Sequence, residues 1–301
     1  LLSDTNKRIE SIMRYNLKDS HPLSFSKEWP DNIIILVNQE NPTRVNWSFP
    51  SEAPESDTPV NSKREYIQQW IPMDTEENYN RLEKEGFKNR FTADSFVYEL
   101  NKNGFRCDNF DTLDLSKKSI IYLGDSHTFG IGAPEEDIWC SILHKSLQEH
   151  YDTTFNLINL GIGGGSFDDY LRLMPYIKKF NPHMIVSYNP PMYRMFVPHT
   201  TGAEYCYPGV EKSTTLGYNR LLLIDEYFEY KYDMTLQVIK SLADGLNIQF
   251  YQENISRVFT DKVMDSFLAM GNHGKNRDGV HYSREIHEIV AKYYFTMITE
   301  K

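Results

Sequence analysis

Three residues of the chain have the types and spacing needed for nucleophilic catalysis: Ser126, Asp278 and His281. Ser126 follows a short apolar run that begins at Ile120 and ends in a Gly-Asp pair. Such a run predicts a buried strand, and Gly-Asp-Ser at its end favours a sharp turn. A serine at this point is held rigidly from below and exposed above, as a nucleophile requires.

A base and an orienting carboxylate for that serine lie near the end of the chain. A serine hydroxyl is a weak nucleophile until a neighbouring base takes its proton, and the base needs a third group to orient it. Asp278 and His281 are separated by two residues, just before a helix predicted from about Arg284. An unperturbed imidazole has a pKa near neutral, so the histidine side chain as a type is suited to take and return a proton.

Four blocks of the sequence resemble, in order, those of the SGNH/GDSL hydrolase family. They are Gly124-Asp125-Ser126, Asn159 to Ser166, Ser187-Tyr188-Asn189-Pro190 and Asp278-Gly279-Val280-His281. The third block departs from the family pattern, which usually has Gly-x-Asn-Asp, so the chain resembles a divergent member.

The resemblance implies a role for each site residue. By the resemblance, we expect Ser126 to be the nucleophile, His281 the general base and Asp278 the group that orients the imidazole. We expect the oxyanion hole to consist of the backbone N–H groups of Ser126 and Gly164 and the side-chain amide of Asn189. Fixed donors of this kind stabilise the charge that develops on the substrate carbonyl oxygen.

Three further residues are expected to line the substrate site. His127 adjoins the nucleophile, Tyr188 lies within the third block, and Arg194 follows it. An arginine in this position is suited to bind a carboxylate or a phosphate. For Arg194 the alternative is a solvated loop residue.

Two other kinds of site are compatible with some of these residues. The glycines at 163–165 are also compatible with a flexible turn or a phosphate cradle at a helix start, but no phosphate-loop motif or nearby lysine accompanies them. The side chains of His127, His273, Asp278 and His281 are potential metal ligands, but their spacing matches no established zinc motif. We therefore expect no metal and no cofactor.

The pattern of elements predicts an α/β fold. From residue 118 strands alternate with helices, which favours a parallel sheet covered on both faces. One of these helices is predicted over 166–180, with Ser166 or Asp168 near its cap. After residue 217 the sequence predicts a long helix over 220–246, a short strand over 248–251 and a last helix from about 284 to 299. Together with the resemblance, this predicts a three-layer α/β/α domain with a central parallel sheet in flavodoxin-like order. We expect an N-terminal accessory segment or lobe over 1–90 and the hydrolase-like domain over 91–301. The long stretch 190–217 shows no clear periodicity and predicts a functional loop.

Composition excludes several classes of protein. The 301 residues carry a formal net charge of −10, which argues against sequence-independent binding to nucleic acid or to anionic membranes. The three cysteines, odd in number and scattered, argue against a disulfide framework. No membrane-spanning run and no signal-peptide pattern is present in the sequence, so we expect a cytoplasmic protein. The oligomeric state is left open.

The sequence thus supports one main hypothesis and two alternatives. The main hypothesis is a serine esterase that hydrolyses a carboxylic ester, of an acylated carbohydrate, a lipid or another small molecule, through an acyl-serine intermediate. The first alternative is an O-acyltransferase that uses the same three residues and a sugar hydroxyl in place of water. The second is a binding module that has kept the fold and lost catalysis.

Overall fold

The computed structural model describes most of the chain from residue 63 onward. The described residues are 63–64, 66–71, 74–101, 103–188, 195–199, 202–206, 225–253 and 260–300. Within them, no helix is both long and apolar enough to cross a membrane.

Eight strands and seven α-helices occur in the described residues. The strands are β1 (Tyr66–Gln68), β2 (Tyr98–Leu100), β3 (Ser119–Gly124), β4 (Asn156–Gly161), β5 (Pro182–Tyr188), β6 (Met195–His199), β7 (Gly202–Cys206) and β8 (Gln249–Glu253). The helices are α1 (Glu76–Lys84), α2 (Ser126–Phe129), α3 (Trp139–Tyr151), α4 (Phe167–Ile177), α5 (Asp225–Gly245), α6 (Thr260–Met270) and α7 (Arg284–Thr299).

The central sheet has four parallel strands in the order β4-β3-β5-β8. Numbered by their own succession along the chain, these strands run 2-1-3-4, which is the flavodoxin-like order. The predicted α/β class and parallel sheet are therefore confirmed. β3 lies where the strand order reverses, and ligands bind at the carboxyl ends of strands at such a switch point.

Both faces of the sheet are covered. Ile121 and Leu123 of β3 belong to a core that α4 and α5 complete, whereas Ile120 and Tyr122 belong to a second core completed by α3 and α7. Successive strand residues point to opposite faces, so a strand buried on both sides reads as a continuous apolar run. The result is the predicted three-layer arrangement.

The structure differs from the predicted elements in two places. The stretch 190–217, predicted as a loop, contains the antiparallel pair β6 and β7. Proline at 198 removes a backbone donor from β6, and proline within a run argues against a strand in sequence-based prediction. Helix α6 was not predicted either; only α5, β8 and α7 were expected after residue 217.

The described part of the predicted N-terminal segment packs on the rest of the molecule. β1 pairs in antiparallel fashion with β2, and α1 lies beside the loop that carries Asp278. The division into 1–90 and 91–301 remains a prediction, since residues 1–62 lie outside the described residues.

Candidate active site

Ser126 lies in a sharp turn at the carboxyl end of β3. It is the first residue of α2, a single helical turn, and Asp125 caps that turn by accepting a hydrogen bond from the backbone N–H of His127 at 3.0 Å. A capping aspartate of this kind satisfies a backbone donor at the helix start. Ser126 is 5 % exposed, so it lies just beneath the surface of the fold.

Two glycines allow α2 to pack against the strand ends. A Cβ atom on Gly124 would lie 1.7 Å from Oγ1 of Thr128, and one on Gly161 would lie 2.3 Å from the backbone nitrogen of Phe129. Distances under about 3 Å are not tolerated by close-packed atoms. Glycine is thus required at positions 124 and 161 because α2 lies so close to the ends of β3 and β4. This close packing fixes the position of the turn that carries Ser126, here called the serine turn.

Asp278 and His281 form a buried pair within one loop. Nδ1 of His281 is hydrogen-bonded to Oδ2 of Asp278, whose Oδ1 accepts the backbone N–H groups of His281 (3.0 Å) and Val280 (3.1 Å). Burial alone would raise the pKa of Asp278, but the imidazole and these hydrogen bonds bring that pKa below its usual value. The carboxylate therefore stays ionised and accepts a proton-bearing Nδ1, which leaves Nε2 of a neutral imidazole as an acceptor.

The serine turn and the Asp278–His281 loop lie side by side. The ring of His127, the residue after Ser126, has its centroid 5.0 Å from that of His281 and stacks on Tyr282 at 3.9 Å. The segments that adjoin them are also hydrogen-bonded to each other. The backbone N–H of Arg277 donates to the carbonyl of Gly132 at 3.2 Å. The structure thus brings together parts of the chain that are far apart in sequence.

The second sequence block forms the turn between β4 and α4. The N–H of Ile162 donates to the carbonyl of Gly124 at 2.9 Å, which ties this turn to the end of β3. Gly164 has φ +70°, a conformation that favours glycine. Ser166, one of the two predicted caps, is the N-cap of α4. Its backbone N–H donates to the carboxylate of Asp169 at 2.7 Å. The role of Gly164 in the oxyanion hole remains a prediction.

The third block is described only in part. Tyr188 ends β5 in register with Gly124, so β5 and β3 end at the same edge of the sheet. The Tyr188 side chain is buried between Trp139 and His127, and this burial raises the pKa of its hydroxyl well above the usual value. Asn189 and Arg194 lie outside the described residues, and the proposed roles of all three stay predictions.

Several residues around the site were not assigned a role from sequence. Tyr282 stacks on His127, and Arg277 is fully buried directly before Asp278, paired with Asp74. The sequence does contain a signal that Arg277 and Tyr282 lie near the site, since they directly precede and follow the Asp-x-x-His block. Nothing in the local sequence indicates Asp74, because its partner lies on a distant part of the chain.

Among the described residues, no group of three or more His, Cys, Asp and Glu side chains is arranged to hold a metal ion. His273, a potential ligand by residue type, is exposed and lies in the 3₁₀ turn at Gly271–Gly274.

Comparisons with known proteins give structural neighbours only. No protein-family model and no curated protein matches the chain. Similar solved structures include the psychrotrophic esterase EstA from Pseudoalteromonas sp., at 13% identity and a TM-score of 0.34, over 61% of this chain and 97% of that one. AlinE4, an SGNH-hydrolase family esterase, has 14% identity and a TM-score of 0.31 over 45% of this chain and 58% of its own.

A third neighbour is the acetyl xylan esterase AlAXEase, with 18% identity and a TM-score of 0.35 over 60% of this chain and 99% of that chain. Identities and TM-scores of this size carry no functional weight. A functional proposal for this chain therefore rests on the residues of the site.

Proposed function

We propose that the protein is a serine esterase in which Ser126 is the nucleophile, His281 the general base and Asp278 the orienting carboxylate. The observation that carries the proposal is the buried hydrogen bond between Asp278 and His281. The ring centroid of His281 lies 5.0 Å from that of His127, the residue directly after Ser126. Carboxylate, imidazole and hydroxyl in this order are the parts that serine acyl transfer requires.

The chemistry follows from the protonation states. Nε2 of His281 takes the hydroxyl proton of Ser126 as Oγ attacks the ester carbonyl carbon. The ester C–O bond then breaks, and the imidazolium returns the proton to the leaving alkoxide. In the second half of the reaction His281 takes a proton from water as the water attacks the acyl carbon. The bond from that carbon to Oγ of Ser126 then breaks, the imidazolium returns the proton to Oγ, and the carboxylic acid leaves. Asp278 stabilises the imidazolium and is not itself protonated.

The oxyanion that forms in each half needs fixed donors. We assign this role to the N–H groups of Ser126 and Gly164 and to the amide of Asn189, because these positions match the first three sequence blocks. Loss of one such donor typically lowers the rate roughly 10²–10³-fold. The substrate class, a carboxylic ester of a carbohydrate, a lipid or another small molecule, follows from the same resemblance.

A fluorophosphonate probe tests the proposal without knowledge of the substrate. We expect one adduct, located on Ser126 by mass spectrometry, and hydrolysis of a short aryl ester. Ser126→Ala should abolish both, and His281→Ala should slow both by several orders of magnitude. Ser146→Ala is the matched control, because its hydroxyl donates to the carbonyl of Ile142 within α3. A well-folded protein without the adduct, or with full turnover in Ser126→Ala, would refute the proposal.

A further inference from the structure

Arg277 connects the Asp278–His281 loop to the segment before β3. Its guanidinium is fully buried and donates to Asp74 at 2.7–3.1 Å, to the carbonyl of Gln69 at 2.9 Å and to the carbonyl of Ala93 at 2.9 Å. It also lies over the ring of Phe96, 3.9 Å from the centroid. Every one of these partners belongs to residues 69–96, so this segment holds the residue next to Asp278.

The carboxylate of Asp74 has a second partner, which leads to the other half of the site. The hydroxyl of Tyr98 donates to Asp74, and it accepts the backbone N–H of Gly132 at 2.8 Å. Gly132 lies on the segment that continues from α2, beyond Ser126. A continuous series of bonds therefore runs from Gly132 through Tyr98 and Asp74 to Arg277.

The same segment also holds the backbone of the Asp278–His281 loop. Side-chain amides of Asn89 and Asn78 donate to the carbonyls of Arg277 (2.7 Å) and Asp278 (3.0 Å). Gly279 has φ +74°, and a Cβ there would lie 2.8 Å from Leu82 of α1. The backbone of the loop is thus fixed against residues 78–89 at Arg277, Asp278 and Gly279.

From these contacts we propose that Asp74 and Tyr98 are positioning residues that set the distance between the serine turn and the Asp278–His281 loop. The inference rests on the proposed function, in which those two parts must meet. Neither residue touches the reacting atoms. A misplacement of about 1 Å between catalytic groups is enough to cost roughly 10²-fold in rate.

The sharpest variant is Tyr98→Phe, which removes only the hydroxyl that joins Gly132 to Asp74. The ring stays, so the packing on Phe96 and Phe129 is retained. Tyr79→Phe is the matched control: it deletes another hydroxyl of the same segment, which bonds to Glu83 at 2.8 Å and to the backbone of Ala93 rather than to Asp74 or Gly132. Asp74→Asn is a second variant that weakens both links.

We expect Tyr98→Phe to lower kcat for a short aryl ester roughly 10- to 100-fold, with KM within about twofold of wild type. The rate of fluorophosphonate labelling should fall in parallel, whereas Tyr79→Phe should leave both near wild type. A purely structural role would lower the melting temperature and leave kcat of the folded protein unchanged. Equal kcat values in Tyr98→Phe and Tyr79→Phe would overturn the inference.

A spectroscopic readout separates this inference from the proposed function. In protein labelled with ¹⁵N-histidine, the ring signals of His281, assigned by their loss in His281→Gln, should shift in Tyr98→Phe and not in Tyr79→Phe. If wild type neither turns over esters nor reacts with the probe, the proposed function fails, and shifted signals would still support positioning. Unchanged His281 signals would overturn the positioning role, whatever the activity of the wild type.

Discussion

The rings of His127 and His281 meet edge to face, with centroids 5.0 Å apart. One follows the nucleophile candidate directly, and the other is the candidate base. His127 is itself held by Tyr282, which stacks on it at 3.9 Å with an interplanar angle of 19°. The His281 ring is therefore supported from two sides, by the carboxylate of Asp278 at Nδ1 and by the ring of His127.

His127→Ala should disturb this arrangement because it removes the ring that packs between His281 and Tyr282. We expect kcat/KM for a short aryl ester to fall roughly tenfold or more, with part of the loss in KM if the ring also faces the substrate. His127→Phe keeps a flat ring of similar size and should recover most of kcat. Steady-state kinetics of the two variants check this. Equal losses in both would contradict the packing role and favour a role for the imidazole nitrogens.

Asp278→Asn should lower kcat roughly 10³- to 10⁴-fold. An amide in place of the carboxylate cannot stabilise the imidazolium, and it favours the tautomer with the proton on Nε2, which can no longer accept from the serine. Its oxygen can still accept the N–H groups of Val280 and His281, so the fold should survive. Kinetics with a thermal melt measure both effects.

Asp114→Asn is the control for that substitution, because Asp114 lies on an exposed turn and its carboxylate accepts from Ser116. Turnover of Asp114→Asn should match wild type. A kcat for Asp278→Asn within about threefold of wild type would mean that the carboxylate does not orient the base.

Gly161→Ala should destabilise the protein and displace the serine turn. Its new methyl would lie 2.3 Å from the backbone nitrogen of Phe129, and backbone cannot move aside as a flexible side chain does. We expect a loss of roughly 1–3 kcal/mol or more in the free energy of unfolding, together with slower labelling of Ser126. Urea unfolding and the fluorophosphonate probe measure the two quantities.

Gly245→Ala provides the comparison. Gly245 ends α5, and nothing lies within 4 Å of a Cβ built there. Alanine favours helix over glycine by up to about 1 kcal/mol, so this variant should be neutral or slightly stabilised. If Gly161→Ala were as stable and as reactive as Gly245→Ala, the close approach of α2 to β4 would not be a requirement of the fold.

Local patterns account for the parts of the fold that were predicted correctly. β3 is buried throughout and reads as a continuous apolar run, and α7 was predicted from about residue 284 to 299, as observed. Ser166 was one of two predicted caps for α4, and it starts that helix. In each case the residues that signal the element are neighbours in sequence, so periodicity and capping chemistry are sufficient.

Contacts between distant residues were not predictable in the same way. The Arg277–Asp74 pair, the bond from Gly132 to Tyr98 and the stacking of Tyr282 on His127 depend on how separate segments meet. Their residue types are common on protein surfaces, and only the fold shows them to be buried. The sequence therefore predicts a candidate set of reacting residues, whereas the contacts that support them were visible only in the fold.

Stability should depend on pH through His144, a buried residue of α3. Its Nε2 lies 3.3 Å from the carbonyl of Phe155, and its Nδ1 lies 3.3 Å from the hydroxyl of Tyr122. A carbonyl only accepts, so Nε2 carries the proton and Nδ1 accepts from the tyrosine. Burial lowers the pKa of this imidazole to about 4.

The sign of the effect follows from the two protonation equilibria. The unfolded chain binds a proton at this histidine below pH about 6.5, whereas the folded protein does so only near pH 4. The folded state is thus fully favoured above pH 6.5 and loses stability as the pH falls toward 4. The slope contributed by one such group is at most about 1.4 kcal/mol per pH unit.

His144→Gln should flatten this slope, because glutamine offers a donor and an acceptor and does not titrate. Urea unfolding at several pH values between 4.5 and 7.5 measures it, with His150→Gln, at the exposed end of the same helix, as the control. Part of the slope should remain, since burial also lowers the pKa of His287 well below its usual value. A slope for His144→Gln as steep as that of His150→Gln would mean that His144 is already charged in the folded protein or is not buried.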